Sequence, residues 1–453
     1  MKPCLATPSP FLSGPILSPL IRFALPLMLS QLLQALYGGV DLAVVGHFST
    51  TESVSAVATG SQVMQTVTAI VTGLTMGVTV LLGKAVGARD EASAGSLVAG
   101  QIKLFSLLAV VLTAVMLLLA PQAARWMNVP EGAVGEAVDY IRICSAGMVF
   151  ITAYNGISGI FRGLGNSRSP FLFVLVACLV NVVLDLVLVG LVGMGAAGAA
   201  LATVIAQASS VVFSLAYMAR RPFPFRLDRA SFRGNQSAGK ILRVGGPIAL
   251  QDFLVNISFL MITSIVNALG LVASAGVGIS EKLYVFLSII PMAFMSALSA
   301  FVAQNMGAEQ PRRALRALCL AQGIAFAFGM VMFYMTFCQG AVLASLFDRD
   351  PQVVEATAVY LRGISWEYLM IPLTYCFLGY FNGRERTNFV MLQGILSVFL
   401  VRVPLSYFLS RLPDTGLALV SLAVPISGLV NLLLCLGYFL WLSRLDRRRA
   451  EAA

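Results

Sequence analysis

Runs of about twenty apolar residues recur along the whole chain, and they restrict the solvent in which it can fold. A helix needs ~20 largely apolar residues to cross a bilayer. About twelve such segments are centred near residues 35, 68, 110, 150, 180, 207, 255, 288, 327, 368, 400 and 430. Gly, Pro and small polar residues are scattered inside them, as membrane helices tolerate. With 58% hydrophobic and 11% charged residues among 453, a water-soluble fold could not hide its apolar surface. The sequence predicts an all-α polytopic membrane protein.

The net charge of +10 does not mark a nucleic-acid partner, because of where the charge sits. If both ends are cytoplasmic, most Lys and Arg fall in cytoplasmic loops and tails. They include Lys84, Arg89, Arg162, Arg168, the stretch from Arg220 to Arg243, Arg312, Arg313, Arg316, Arg384, Arg386 and Arg444 to Arg449. Arg125, Arg142, Arg349, Arg362 and Arg411 fall opposite, while Lys282 and Arg402 lie within spans. That asymmetry predicts both termini inside, an even number of spans and residence in the inner or plasma membrane. The basic end reads as a topology anchor that could also touch anionic lipid. Residues 1–19, Pro- and Ser-rich, read as a retained tail and not a signal peptide. The seven cysteines are scattered without a CxxC, which points to neither disulfides nor a metal cluster.

An internal repeat organises the chain. Gly87-Ala88 recurs as Gly307-Ala308, Tyr140-Ile141-Arg142 as Tyr360-Leu361-Arg362, and Phe161-Arg162-Gly163 as Phe381-Asn382-Gly383, all 220 residues apart. The starts of the halves, Arg22…Pro26 and Arg243…Pro247, match at 221. Six spans separate the copies, so the repeat is parallel. It predicts two six-helix lobes around a central cleft: an N-lobe over 20–219, an inter-lobe loop over 220–240, a C-lobe over 241–442 and a basic tail over 443–453. At the 220 offset Asp41 maps onto Met261, Asn181 onto Val401 and Asp185 onto Leu405. Asp41 and Asp185 then have no acidic counterparts, so the ion chemistry falls to the N-lobe.

Those acids carry the chemistry. A carboxylate at the centre of a span costs roughly 2.5–3.5 kcal/mol on insertion scales. Asp41 shares a helix stripe with Gln34 and Tyr37, Asp185 lies one turn from Asn181, Thr203 and Gln207 are an i, i+4 pair, and Asn155 is on the fourth span. Such a carboxylate can hold a proton, because desolvation disfavours its charged form, and the same oxygens could ligate Na⁺. Each group also has a plainer use. An intramembrane Asp can simply lock helix packing, and Thr203, Gln207, Tyr37 and Asn155 serve as interhelical glue as readily as function. Pro26 bends the first span, as a static kink or a moving one. Asp252, near the start of the seventh span, and Glu281, beside Lys282, are weaker candidates; Glu367, deeper in the tenth, could meet a cationic substrate. No GxxxxGK[ST], HExxH or GxSxG occurs, so energy must come from an ion gradient or a partner.

Several segments together resemble the multidrug and toxic compound extrusion (MATE) family: GGVDLAVVGHFS (38–49), VGARDEA (86–92), FRGLGNSRSP (161–170), NVVLDLVLV (181–189), GMGAAGAALATVIAQ (193–207) and FVAQNMGAEQPRRA (301–314). The resemblance implies a monomeric antiporter of twelve helices, without cofactor, exporting amphipathic, often cationic compounds against inward H⁺ or Na⁺. It implies a cation site at Asp41, Asn181, Asp185 and Thr203 with Tyr37 alongside, and a first-helix hinge at Pro26. Gln34, Asn155, Gln207, Asn256 and Glu367 are candidate substrate or cavity contacts. The place of a seventh-helix glutamate in the NorM-like branch holds Val255, beside Asn256, and that of a tenth-helix aspartate is apolar near Ile371. Those departures are similar to the DinF-like branch. Two rivals remain: a lipid-linked oligosaccharide flippase, which would line its cleft with several Arg or Lys, and an intramembrane enzyme using the two acids as a dyad.

Overall fold

The computed structural model describes residues 9–451 apart from 221, 222, 224, 226, 228, 233–235, 268 and 413–415. The first eight residues of the tail, parts of the 220–240 loop and the last two residues of the basic tail therefore lie outside the described residues. Elsewhere the apolar runs are helices, as they must be where no water can pair a backbone group. Two compact units emerge, Met1–Ala249 with Ala303–Gln310, and Leu250–Val302 with Pro311–Ala453.

The first unit is built on α1 (Leu17–Phe48), α2 (Thr51–Gly87), α3 (Glu91–Trp126), α4 (Val134–Ala146), α5 (Met148–Gly163), α6 (Arg168–Asp185) and α7 (Gly195–Ala219). A π-helical stretch, Leu186–Leu191, continues α6. Polar residues set the starts. Thr50 caps α2 by accepting the Ser53 amide at 3.3 Å, and Asp90 caps α3 by accepting that of Ser93 at 2.9 Å. That cap, through the Ser93 hydroxyl and amide, holds the Asp90 carboxyl below its ordinary range. α4 and α5 form one span bent by 49° at Gly147. Tyr140 and Ile141 are thus buried within the first limb of that span. The charges on α4 had hidden its membership.

The second unit holds most of α8 (Gln236–Asn267) and α9 (Leu271–Gly307), then α10 (Pro311–Cys338), a short α11 (Gly340–Ser345), α12 (Pro351–Ile364) and α13 (Glu367–Gly383). α14 (Thr387–Ile395) runs through a second π-helical stretch, Leu396–Arg402, into α15 (Val403–Arg411), followed by α16 (Leu417–Ser421) and α17 (Ala423–Glu451). α8 starts on polar turns ahead of its apolar run, so Asp252 lies in mid-helix. Among the described residues ten helices are long and apolar enough to cross a membrane, and the bent α4–α5 pair makes eleven. α12 and α13 occupy the equivalent place in the second half. The outward side chains are apolar, with Leu118, Leu191 and Leu400 76%, 84% and 69% exposed. Water would not tolerate such a surface; lipid does.

The repeat is written into the backbone. Arg89 and Glu309 adopt left-handed φ values of 57° and 58°, and Gly165 and Glu385 adopt 78° and 59°. Each pair is 220 residues apart. Within the first unit the last turn of α9 meets the last turn of α2: a methyl group on Gly87 would collide with the Gln304 carbonyl, and one on Gly307 with that of Lys84. The N-terminal segment is seated on the same turn. Ser9 Oγ donates to Gln304 Oε1 at 2.6 Å, Asn305 Nδ2 donates to the Phe11 carbonyl at 3.2 Å, and buried Phe11 meets Phe23 edge-on at 5.2 Å.

Membrane helices gain little from the hydrophobic effect on associating, so such small-residue contacts supply the close packing. Gly87→Ala and Gly307→Ala should each cost about 1–3 kcal/mol through overpacking. Gly437→Ala, which meets open space, should change stability by less than about 0.5 kcal/mol. Thermal unfolding in detergent measures all three, and equal midpoints would contradict the packing account.

Candidate functional site

Three helices of the first unit bring the predicted acids together. Asp41 sits on α1, Asn181 and Asp185 one turn apart on the end of α6, and Thr203 on α7; the first three are 5%, 1% and 0% exposed. The side chains of Asp185, Asn181 and Thr203 lie against Asp41. Thr203 Oγ1 donates to Asp41 Oδ2 at 3.5 Å. Asp41 Oδ1, both carboxylate oxygens of Asp185 and both amide atoms of Asn181 are buried without a hydrogen-bond partner.

Leaving a buried polar atom unpaired costs about 1–3 kcal/mol, and here five gather in one cluster. Two carboxylates in contact also repel each other when both are ionised. A proton shared between them, or a hard cation accepting the oxygens of Asp41, Asp185, Asn181 and Thr203, would offset both costs. The π-helical stretch opens directly after Asp185, and Val192 donates to the carbonyl of Val187, five residues back, at 2.9 Å. Such stretches are rare and cluster at functional sites.

Around this centre, Tyr37 neighbours Asp41, Gln207, Tyr154 and Cys178. The Gln207 Oε1 is buried without a partner. The remaining candidates stand apart. Gln34 is exposed and borders Tyr154, while Asn155 turns its amide onto the Ile151 carbonyl of its own helix at 2.9 Å. Pro26 lies within the single helix α1, its carbonyl accepting from Ser30 Oγ at 2.8 Å. Asn256, which donates to the Asp252 carbonyl at 2.8 Å, and buried Glu367 belong to the second unit. Sequence reasoning passed over Tyr140, Cys144 and Cys178, all within electrostatic reach of Asp41. Cys178 could have been found, since it precedes Asn181 by one turn. Tyr140 could not, because it lies on a different helix, with its ring against Gly60 of α2.

Two apolar grooves lie elsewhere, about 600 Å³ beside Phe150, Val204 and Phe213 and about 590 Å³ beside Leu260, Val403 and Tyr407. Neither is lined by the acids.

The MatE family model matches the chain twice, over residues 26–187 and 247–408. A probable multidrug resistance protein of Bacillus subtilis, YoeA, is 25% identical over 429 residues, covering 92% of this chain and 93% of the relative. An FAD transporter of Shewanella oneidensis is 25% identical over 434 residues, covering 94% of each. A solved outward-facing multidrug resistance MATE family transporter superposes with a TM-score of 0.87 at 23% identity, covering 96% of each chain.

The two matches begin and end 221 residues apart, which corrects the register at both ends of the repeat. Asp41 then maps onto Ile262, Asn181 onto Arg402 and Asp185 onto Ser406. Burial agrees, since Ile262, Arg402 and Ser406 are 2%, 8% and 1% exposed whereas Met261 is 41% exposed. The counterpart of Asn181 is therefore a cation and not an apolar residue.

Thr203→Val removes the hydroxyl that donates to Asp41 and should destabilise the protein by about 0.6 kcal/mol, the average for interhelical bonds, whose maximum is about 1.7 kcal/mol. Thr203→Ser should retain most of that. Unfolding midpoints in detergent would show it; a Val variant as stable as the parent would remove the bond from the account.

Proposed function

The chain belongs to the MatE family of membrane transporters, and from that premise we propose that it is a cation-coupled antiporter exporting amphipathic, often cationic organic compounds by alternating access. The observation that carries the coupling is the Asp41–Asp185 pair. Two buried acids with unpartnered oxygens, set on three different helices with Asn181 and Thr203, form a place where gaining or losing one H⁺ or Na⁺ changes the cost of the local packing. Ion and drug then need not touch. A differential affinity for two conformations is enough to couple them.

Multidrug export as the cargo class rests on relatives named for it, such as the Bacillus subtilis protein. The exporter acts as a monomer with both termini cytoplasmic, as the positive charge of its loops favours. Pro26, which leaves one backbone carbonyl of α1 without its helical donor, is the hinge through which the first helix answers the ion. A membrane potential of 100 mV is worth about 2.3 kcal/mol per net charge moved, so one inward cation exchanged for a neutral compound can drive a roughly fiftyfold export gradient, while exchange for a monovalent cationic compound draws on the ion's concentration gradient alone.

The test is transport of a fluorescent cationic dye in proteoliposomes under imposed pH or Na⁺ gradients. Asp41→Asn should abolish gradient-driven movement, with expression and folding intact. Full coupled efflux from that variant would remove Asp41 from the mechanism.

A further inference from the structure

The second unit has its own buried charges, and they differ in kind from those of the first. Arg402, which ends the second π-helical stretch in the register of Asn181, is 8% exposed, and its Nε has no hydrogen-bond partner. Its guanidinium rests over the ring of Phe259 on α8, 4.9 Å from the centroid. Facing it are Glu367 on α13, Glu281 and Tyr284 on α9 and Tyr360 on α12. Glu367 is 7% exposed, its Oε2 unpartnered, and its stem packs on Gly428 of α17. Glu281 is better served: it is half-buried, and its Oε1 accepts from Thr263 Oγ1 at 3.4 Å. Among the described residues Arg402 is within ion-pair distance of neither acid. Of the two acids it is Glu367 whose charge acts on Arg402 more strongly, and low dielectric strengthens the attraction.

We propose that Arg402 is a tethered cation that takes, in the second lobe, the place a mobile coupling ion takes in the first. In the first lobe two acids stand with an amide and a hydroxyl and must borrow their positive charge. In the second, the position of the amide carries a permanent guanidinium, and the deepest acid, Glu367, is balanced from within. An Arg does not release its proton at any working pH. The Arg402–Glu367 pair therefore stays in one charge state through the cycle and takes up no coupling ion, which falls to Asp41 and Asp185. This inference rests on the antiport reading above, and its test is chosen to separate the two.

The experiment is the pH profile of thermal unfolding of the purified full-length protein, from about pH 5 to about pH 9, beside dye transport in proteoliposomes. Removing the guanidinium with Arg402→Gln leaves Glu367 uncompensated in a dry interior, where it takes up a proton that the unfolded chain releases. Stability of the variant is then greatest at low pH and falls, relative to the parent, as pH rises. The extra slope approaches tenfold in the unfolding constant per pH unit, the weight of one proton. Arg402→Lys should keep the parental profile, and the double variant Arg402→Gln/Glu367→Gln should restore it.

An Arg402→Gln profile that parallels the parent overturns the inference. So does a tenfold rise in substrate KM without the added slope, which would make Arg402 a receptor for an anionic group of the cargo. If Arg402→Gln alone does not fold, the double variant decides: a parental profile supports the tethered charge, and an altered one defeats it. A parent that shows no ion-driven transport would sink the antiport reading, while the unfolding profiles would still judge Arg402.

Discussion

The contact between Asp41 and Asp185 is the arrangement on which the functional reading depends. A single intramembrane carboxylate can be hidden by one neighbouring helix. Two in contact cannot both be charged without a cation or a shared proton between them. Drawing them from α1 and α6, and adding Thr203 from α7, ties three helices to one electrostatic event. The rest of the first unit supplies what such an event needs: a dry surround, including the Tyr140 and Tyr37 rings, and helices held closely through small residues.

The two halves answer the same physical problem with different chemistry. Duplication preserved backbone features that leave little choice, the left-handed residues at Arg89 and Glu309 and at Gly165 and Glu385. It did not preserve the acids. Where the first half buries Asn181, the second buries Arg402, and where the first half has Asp41, the second has Ile262. A fold that tolerates both solutions shows that the scaffold constrains helix packing far more than it constrains charge.

Much of this was legible before any coordinates. The length and spacing of the apolar runs dictate membrane helices, and a carboxylate inside such a run identifies itself, as Asp41 and Asp185 did. Spacing by three or four residues placed Asn181 with Asp185. Sequence could not reveal features that come from departures from a straight helix. One is the 49° bend at Gly147. The π-helical stretch ending at Arg402 hid which residue answers to Asn181, because a constant offset misses a one-residue shift. Nor could sequence show how Asn155 is held, its amide nitrogen donating to the Ile151 carbonyl of its own helix.

The meeting of Gly87 with Gln304 and of Gly307 with Lys84 bears on how this duplicated chain can evolve. Each half contributes one bare α-carbon and one carbonyl to the same crossing, so neither copy can drift there alone. Ion-binding residues can diverge between the halves, as Asn181 and Arg402 have. The crossing has no such freedom, and in a lineage of such genes it should be among the last places to lose the trace of their common ancestor.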